Sequence, residues 1–304
     1  MKVVALAGGT GSAKVLRGMK SLPIDLTVVA NVGDNVWMYG AYVCPDVDIA
    51  CYTLSGVVDR ARGWGVEGET FEAMGTFERS GLETWFRLGD RDLAVCMART
   101  EMLRRGSTLT EATDMVRRGL GVPFPVLPAT DRHVETRVAT PGGDLHLQEF
   151  WVRDRGRPRV TGVSYRGASS ARPTRAVADA ILRADRVVLC PANPVTSIGP
   201  MLAVPGFARL LARTDARAVA LSPMSGSGPI SGPAGKFMKA VGRRADSVGV
   251  AKMYSQFLDA MMISAEDSAM SRRVADLGVE CRTSDTMIRG PQDEARLAKE
   301  LLAL

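Results

Sequence analysis

The sequence of 304 residues is long enough for one large α/β domain or two small ones, with a sizeable core. Apolar residues make up 46% and charged residues 24%, and no apolar run approaches the ~18 residues that span a membrane. The net charge of +6 is spread along the chain without a basic helix run or an aromatic-rich strand, which argues against nucleic acid and for anionic small molecules.

The chain opens on KVVALA (2–7), a short strand without the basic flank and longer apolar stretch of a signal peptide, so a cytoplasmic protein is expected. GGTGSAK (8–14), a helical pattern and IDLTVVAN (24–31) follow, giving β–α–β within about thirty residues, the unit of a doubly wound parallel sheet. Residues 68–121 contain several helical stretches and no convincing strand. In RDLAVCMARTEMLRRG (91–106), Leu93, Cys96, Met97 and Leu103 share a face and Gly106 is the stop. VETRVATPGGDLHLQEFWV (134–152) reads as two alternating strands around a Gly-Gly turn. DRVVLC (185–190), ARAVALS (216–222) and DAMMIS (259–264) are short apolar runs, as expected of strands buried on both faces; LGVEC (277–281) is a further candidate. Residues 291–303 form a closing helix. The expectation is one Rossmann-like α/β domain over 1–304, doubly wound around a mainly parallel sheet. A helical insertion at about 60–122 and a small β-hairpin element at about 124–167 interrupt it.

Only two histidines are present, His133 and His146, which argues against a zinc site or a serine–histidine triad. The five cysteines are dispersed without a CxxC pair and read as reduced core residues. Carboxylates, basic side chains and backbone amides remain as working groups. GGTGSAK lets the backbone approach an anion at a helix start, although it is neither a Walker A sequence nor a full dinucleotide fingerprint. Asn31, Gly33 and Asp34 stand at the carboxyl end of the second strand. In CPDVD (44–48), Asp46 and Asp48 begin a helix, where they either cap it or recruit a hard cation. Asp90 and Asp92 read as caps for the helix that follows them, whereas Arg87 projects from a loop. CPANPVTSIGPMLAVPG (190–206) and SPMSGSGPISGPAGKFMKAVG (222–242) are further glycine- and proline-rich loops after strands. In a parallel sheet such loops gather on one edge and line one cleft for a nucleotide-like ligand, with room for a second beside it.

Taken in order, LAGGTGSAKVLRGM, NVGDNVWMYG, CPDVDIACYTLSG, GWGVEGETF, LGDRDLA, TDRHVETRV, NPVTSIGPMLAVPG and SGPISGPAGKFM resemble the 2-phospho-L-lactate transferase family of coenzyme F-420 biosynthesis. The resemblance runs from the first strand to about residue 264. It implies an enzyme that joins a three-carbon acid, lactyl or enolpyruvyl, to the deazaflavin Fo. The acid's guanosine diphosphate-linked form is the donor, the ribityl hydroxyl of Fo attacks the phosphate next to the acid, and GMP leaves. It also implies Mg²⁺ and a homodimer, with small-molecule substrates as partners. Carried onto this chain, it gives Asp46 and Asp48 as metal-binding and catalytic residues. Asp48, Arg87 and Trp37 lie toward Fo; Gly8, Gly9, Thr10 and Gly11 cradle phosphate; Asn193, Ser197, Gly232, Gly235 and Lys236 hold the guanosine end. The chain has GDN where the family often has two acids, so Asn35 is not expected to be an obligatory ligand. The rival reading is a nucleotide-sugar-binding regulator with a similar glycine loop, a group that lacks the CPDVD and LGDRD blocks together.

Overall fold

The structure, a computed structural model, describes residues 1–226, 228–230 and 232–304. Seven strands form the main sheet: β1 (Lys2–Ala7), β2 (Asp25–Ala30), β3 (Val126–Pro128), β4 (Arg186–Leu189), β5 (Arg217–Leu221), β6 (Ala260–Ser264) and β7 (Glu280–Ser284). Neighbours are all parallel, in the order β7-β6-β5-β4-β1-β2-β3. Both faces are covered, so β1, β5 and β6 bury nearly every residue and read as unbroken apolar runs. The doubly wound α/β fold expected from the sequence is the one observed.

From β1 the chain steps outward to β2 and β3, then returns to lay β4 on the other side of β1. The reversal falls between β1 and β4, where the loops leaving two adjacent strands part and open a crevice. Two glycines set how closely those loops approach. A Cβ on Gly11 would sit 2.3 Å from the Pro191 carbonyl oxygen, and one on Gly8 would sit 2.6 Å from Ser197 Cβ.

Between β2 and β3 lie a short hairpin (Val36–Met38 with Ala41–Val43) and the helices Pro45–Ser55, Glu72–Arg79, Asp90–Arg104 and Leu109–Gly119. Gly106, left-handed at φ +94°, closes the third of these as its sequence pattern predicts. Three details differ from the sequence reading. Val126–Pro128 joins the main sheet beside β2, outside the small β element. That element has three antiparallel strands, with Glu135–Thr140 between Gly143–His146 and Gly162–Arg166. Its second strand stops at His146, because Glu149 accepts a hydrogen bond from the His146 backbone N–H at 2.7 Å and starts a helical turn over Glu149–Arg153. The turn seats Phe150 in the core, 5.4 Å from the Phe237 ring. The candidate strand at LGVEC is observed in part: it starts inside that run, at Glu280, after Gly278 at φ +80° has turned the chain, and continues to Ser284.

The helix Gly9–Lys20 is clamped on its outer face by the helix Pro291–Leu302. Gly18 lets the two backbones meet: a Cβ there would lie 2.0 Å from the Glu294 carbonyl oxygen. Gly18→Ala is therefore expected to destabilise the protein by about 2 kcal/mol through overpacking, despite alanine's better helix propensity. Urea unfolding measures this; a variant as stable as the parent would show that the two helices separate at no cost.

Candidate active site

A cleft of about 700 Å³ opens at the β1/β4 reversal, in the upper part of the range for small-molecule sites. Its edge is formed by Gly8–Gly11 after β1, by Pro191–Asn193 and Ser197 after β4, and by Pro223 after β5. The helix Gly9–Lys20 begins here, so its first N–H groups point out of the helix unpaired. One of them, from Gly9, donates to Asp46 Oδ1 at 2.7 Å. Those of Thr10 and Gly11 have no intrahelical partner, the arrangement that attracts an anion. Asn193 Oδ1 accepts from the N–H groups of Val195 and Thr196 and so shapes the β4 loop. Lys14, which the sequence reading did not single out, and Arg87 are the two cationic side chains lining the cleft. Neither is paired with a carboxylate among the described residues.

Four aspartates reach the same space: Asp34, Asp46, Asp48 and Asp92. Neither Asp46 nor Asp48 caps the helix they begin, whose first position is Pro45 and whose N-cap residue, Cys44, makes no capping side-chain bond. The Asn31 amide, at the end of β2, donates to Asp34 Oδ1 at 2.9 Å and to Asp46 Oδ2 at 2.8 Å. Burial pushes the Asp46 carboxyl up to about 6, against the hydrogen bonds from Asn31 and Gly9. Asp34 is pushed well up by burial and then by the charge of Asp46.

Asp48 has a different partner. Both of its oxygens meet the guanidinium of Arg99, Nη1 at 3.1 Å and Nη2 closer, and Arg99 is fully buried. Burial raises the Asp48 carboxyl and Arg99 opposes it. The expected Asp46/Asp48 pair is thus divided: Asp46 shares an amide with Asp34, and Asp48 is neutralised by an arginine. Asp48, Asp92 and the Cys96 thiol each bring a ligand atom within 4.8 Å of the others. Arg99 already supplies the positive charge there, however, and a thiol is a poor partner for a hard cation. The oxygen pair that fits a divalent ion beside the glycine loop is Asp34 with Asp46.

Arg99 escaped the sequence reading, although Asp92, Cys96 and Arg99 recur at helical spacing and an arginine on a buried face is itself a signal. Asp92 was read as a cap and is not one: its Oδ1 accepts from the Tyr52 hydroxyl at 2.7 Å. Asp90 caps a different helix, accepting from the N–H groups of Glu72 and Ala73. Glu69 takes the first N–H groups of the Asp90–Arg104 helix, those of Arg91 and Asp92.

Three expected site residues lie elsewhere. Trp37 is 54% exposed and leans on Tyr42, with ring centroids 4.9 Å apart, because its hairpin turns it away from the cleft. Trp64, Trp85, Phe86 and Trp151 are among the aromatic side chains that do wall the cleft. Lys236 points to the far side of its loop, where its ammonium donates to the carbonyls of Gly156 and Pro158 at 2.6 and 3.2 Å. Gly235 lines that same separate pocket, while Gly232 stays on the cleft.

A family model described as 2-phospho-L-lactate transferase CofD matches residues 3–290. A 2-phospho-L-lactate transferase of Methanosarcina acetivorans is 38% identical over 304 residues, covering 99% of this chain and 98% of that protein. A phosphoenolpyruvate transferase of Streptomyces griseus is 38% identical over 312 residues, covering 100% and 98%. Among solved structures, a UPF0052-family protein from Bacillus halodurans superposes with a TM-score of 0.67 at 17% identity, covering 99% of each chain. That likeness concerns the fold alone.

The buried ion pair makes a separable prediction. Arg99→Met strands the Asp48 charge and is expected to cost about 3–5 kcal/mol of stability. Adding Asp48→Asn should recover more than half of that loss in urea titrations. An undiminished loss in the double variant would make the contribution of Arg99 one of packing and not of charge.

Proposed function

The chain belongs to the 2-phospho-L-lactate transferase CofD family and is an enzyme, a transferase of coenzyme F-420 biosynthesis; on that premise we propose what it joins and how. It moves a phospho-lactyl or phospho-enolpyruvyl group from a guanosine diphosphate-linked donor to the ribityl hydroxyl of the deazaflavin Fo, releasing GMP. The observation that carries this reading is the meeting, in one cleft, of a phosphate-type loop, a carboxylate pair and an aromatic wall.

Phosphoryl transfer asks a protein for positioning and charge neutralisation more than for covalent chemistry. The open N–H groups at Thr10 and Gly11, with the Lys14 ammonium, suit the diphosphate. Asn193, Ser197 and Gly232 extend the same edge toward the nucleoside. Trp85, Phe86 and Trp151 offer flat faces to the deazaflavin ring, and Arg87 stands beside them; its guanidinium lies 4.9 Å above the Phe71 ring. The hydroxyl oxygen attacks the phosphorus next to the acid, and the bond from that phosphorus to the oxygen of GMP breaks. Asp34 and Asp46 would hold Mg²⁺. Bound there, the ion supplies neutralisation of the diphosphate and of the departing GMP. A homodimer belongs to the same reading, and exposed Trp37 and Met97 are among the apolar side chains available to its contact. No helix is long and apolar enough to cross a membrane among the described residues.

Incubation with Fo, Mg²⁺ and either guanylylated donor should yield GMP and a deazaflavin phosphodiester, both dependent on Fo. Absence of Fo-dependent GMP with either donor overturns the reading. Asp46→Asn should raise the Mg²⁺ concentration for half-maximal rate by about tenfold, as expected for loss of one coordinating carboxylate. An unchanged Mg²⁺ dependence would remove Asp46 from the metal.

A further inference from the structure

Resting on that transferase reading, we infer that Asp92 is the general base that accepts the proton of the attacking acceptor hydroxyl. The argument is geometric. Of the four carboxylates in the cleft, Asp48 has both oxygens on Arg99. Asp34 and Asp46 share the Asn31 amide beside the glycine loop, on the diphosphate side. Asp92 remains. No cation pairs with it among the described residues, and the one side-chain bond its carboxylate accepts there is from the Tyr52 hydroxyl. It lines the cleft while staying 7% exposed, so it is both reachable and largely dry. It also follows directly on the stretch from Trp85 to Arg87, which forms the acceptor's wall.

The step balances without a further reactant. The O–H proton passes to a carboxylate oxygen of Asp92 as the hydroxyl oxygen bonds to phosphorus. The phosphorus–oxygen bond to GMP breaks and its electron pair leaves with GMP. Asp92 then returns the proton to water. The groups facing Asp92 are Asp48 and Tyr52 from the Pro45–Ser55 helix, Arg99 and Cys96 from its own helix, and Glu69 from the preceding loop. Burial first, then the charge of Asp48, push Asp92 up to about 7, and the Tyr52 hydrogen bond pulls it down. A base that ionises near neutrality combines availability with driving force.

Asp92→Asn, an isosteric change, should lower kcat on the order of 100-fold with KM for both substrates within about twofold. It should also remove the acidic limb of the pH–rate profile near neutrality, leaving only the fall at lower pH. Tyr52→Phe gives an independent readout. Its hydroxyl stabilises the ionised carboxylate, so its loss should move the acidic limb to higher pH. The assignment is overturned if Asp92→Asn stays within about threefold of the parent. It is also overturned if extra Mg²⁺ restores that variant's rate, which would make Asp92 a ligand. If Asp92→Asn fails to fold, the Tyr52→Phe limb decides alone: a shift supports the base, and an unmoved limb rejects it. A parent protein without Fo-dependent GMP release would instead sink the transferase reading itself.

Discussion

A single amide, the side chain of Asn31, sits where four segments of the chain must agree. It donates to Asp34 and Asp46 and, at 3.3 Å, to the carbonyl of Thr196, while its own oxygen accepts from the N–H of Gly33. The end of β2, the turn after it, the start of the Pro45–Ser55 helix and the loop after β4 are thereby held together in the core. Two carboxylates this close repel each other, and burial adds to the penalty. One neutral amide between them softens that repulsion without abolishing it. The fold thus carries a standing electrostatic demand at the β1/β4 reversal, and the remaining polar architecture can be understood as a response to it. Asp48 is taken up by Arg99 and Asp92 by Tyr52, and it is the Asp34–Asp46 pair that the proposed function assigns to a cation.

The fold was legible in the sequence because buried parallel strands must be short, apolar and continuous, and VVALA, VVL, AVAL and AMMI announce themselves as such. The glycine loop was legible for a related reason: only glycine can stand where a Cβ would strike Pro191 or Ser197. What stayed hidden were directions of side chains. Trp37 and Trp85 look alike in a string of letters, and only the turn of the hairpin sends one to the surface and the other into the cleft. Lys236 sits in a loop of the expected kind yet points through it to the far side. Asp90 and Asp92, two residues apart, point to opposite ends of the insertion, one to a neighbouring helix start and one to Tyr52. The helical spacing of Asp92, Cys96 and Arg99 did carry information, which a search for capping residues passes over.

The superposition on the Bacillus halodurans protein covers 99% of this chain at 17% identity, so the same architecture is built from largely different residues. An architecture does not fix the chemistry built on it; the residues of the site do. In this chain the insertion between β2 and β3 supplies Asp46, Asp48, Arg87, Asp92 and most of the aromatic wall, whereas the sheet edge supplies the glycine loop. In the proposed reading, the donor's phosphates fall to the frame and the acceptor to the insertion.

The clamp between the first and last long helices has a temporal meaning as well. Arg17 reaches Glu294 at 2.6 Å, a partner 277 residues further along, and Gly18 rests on the same turn. During vectorial synthesis the helix that carries the glycine loop is made well before its outer cover, the Pro291–Leu302 segment, has left the ribosome. The packed form of that helix is therefore open to the nascent polypeptide only once both of these distant segments have been made.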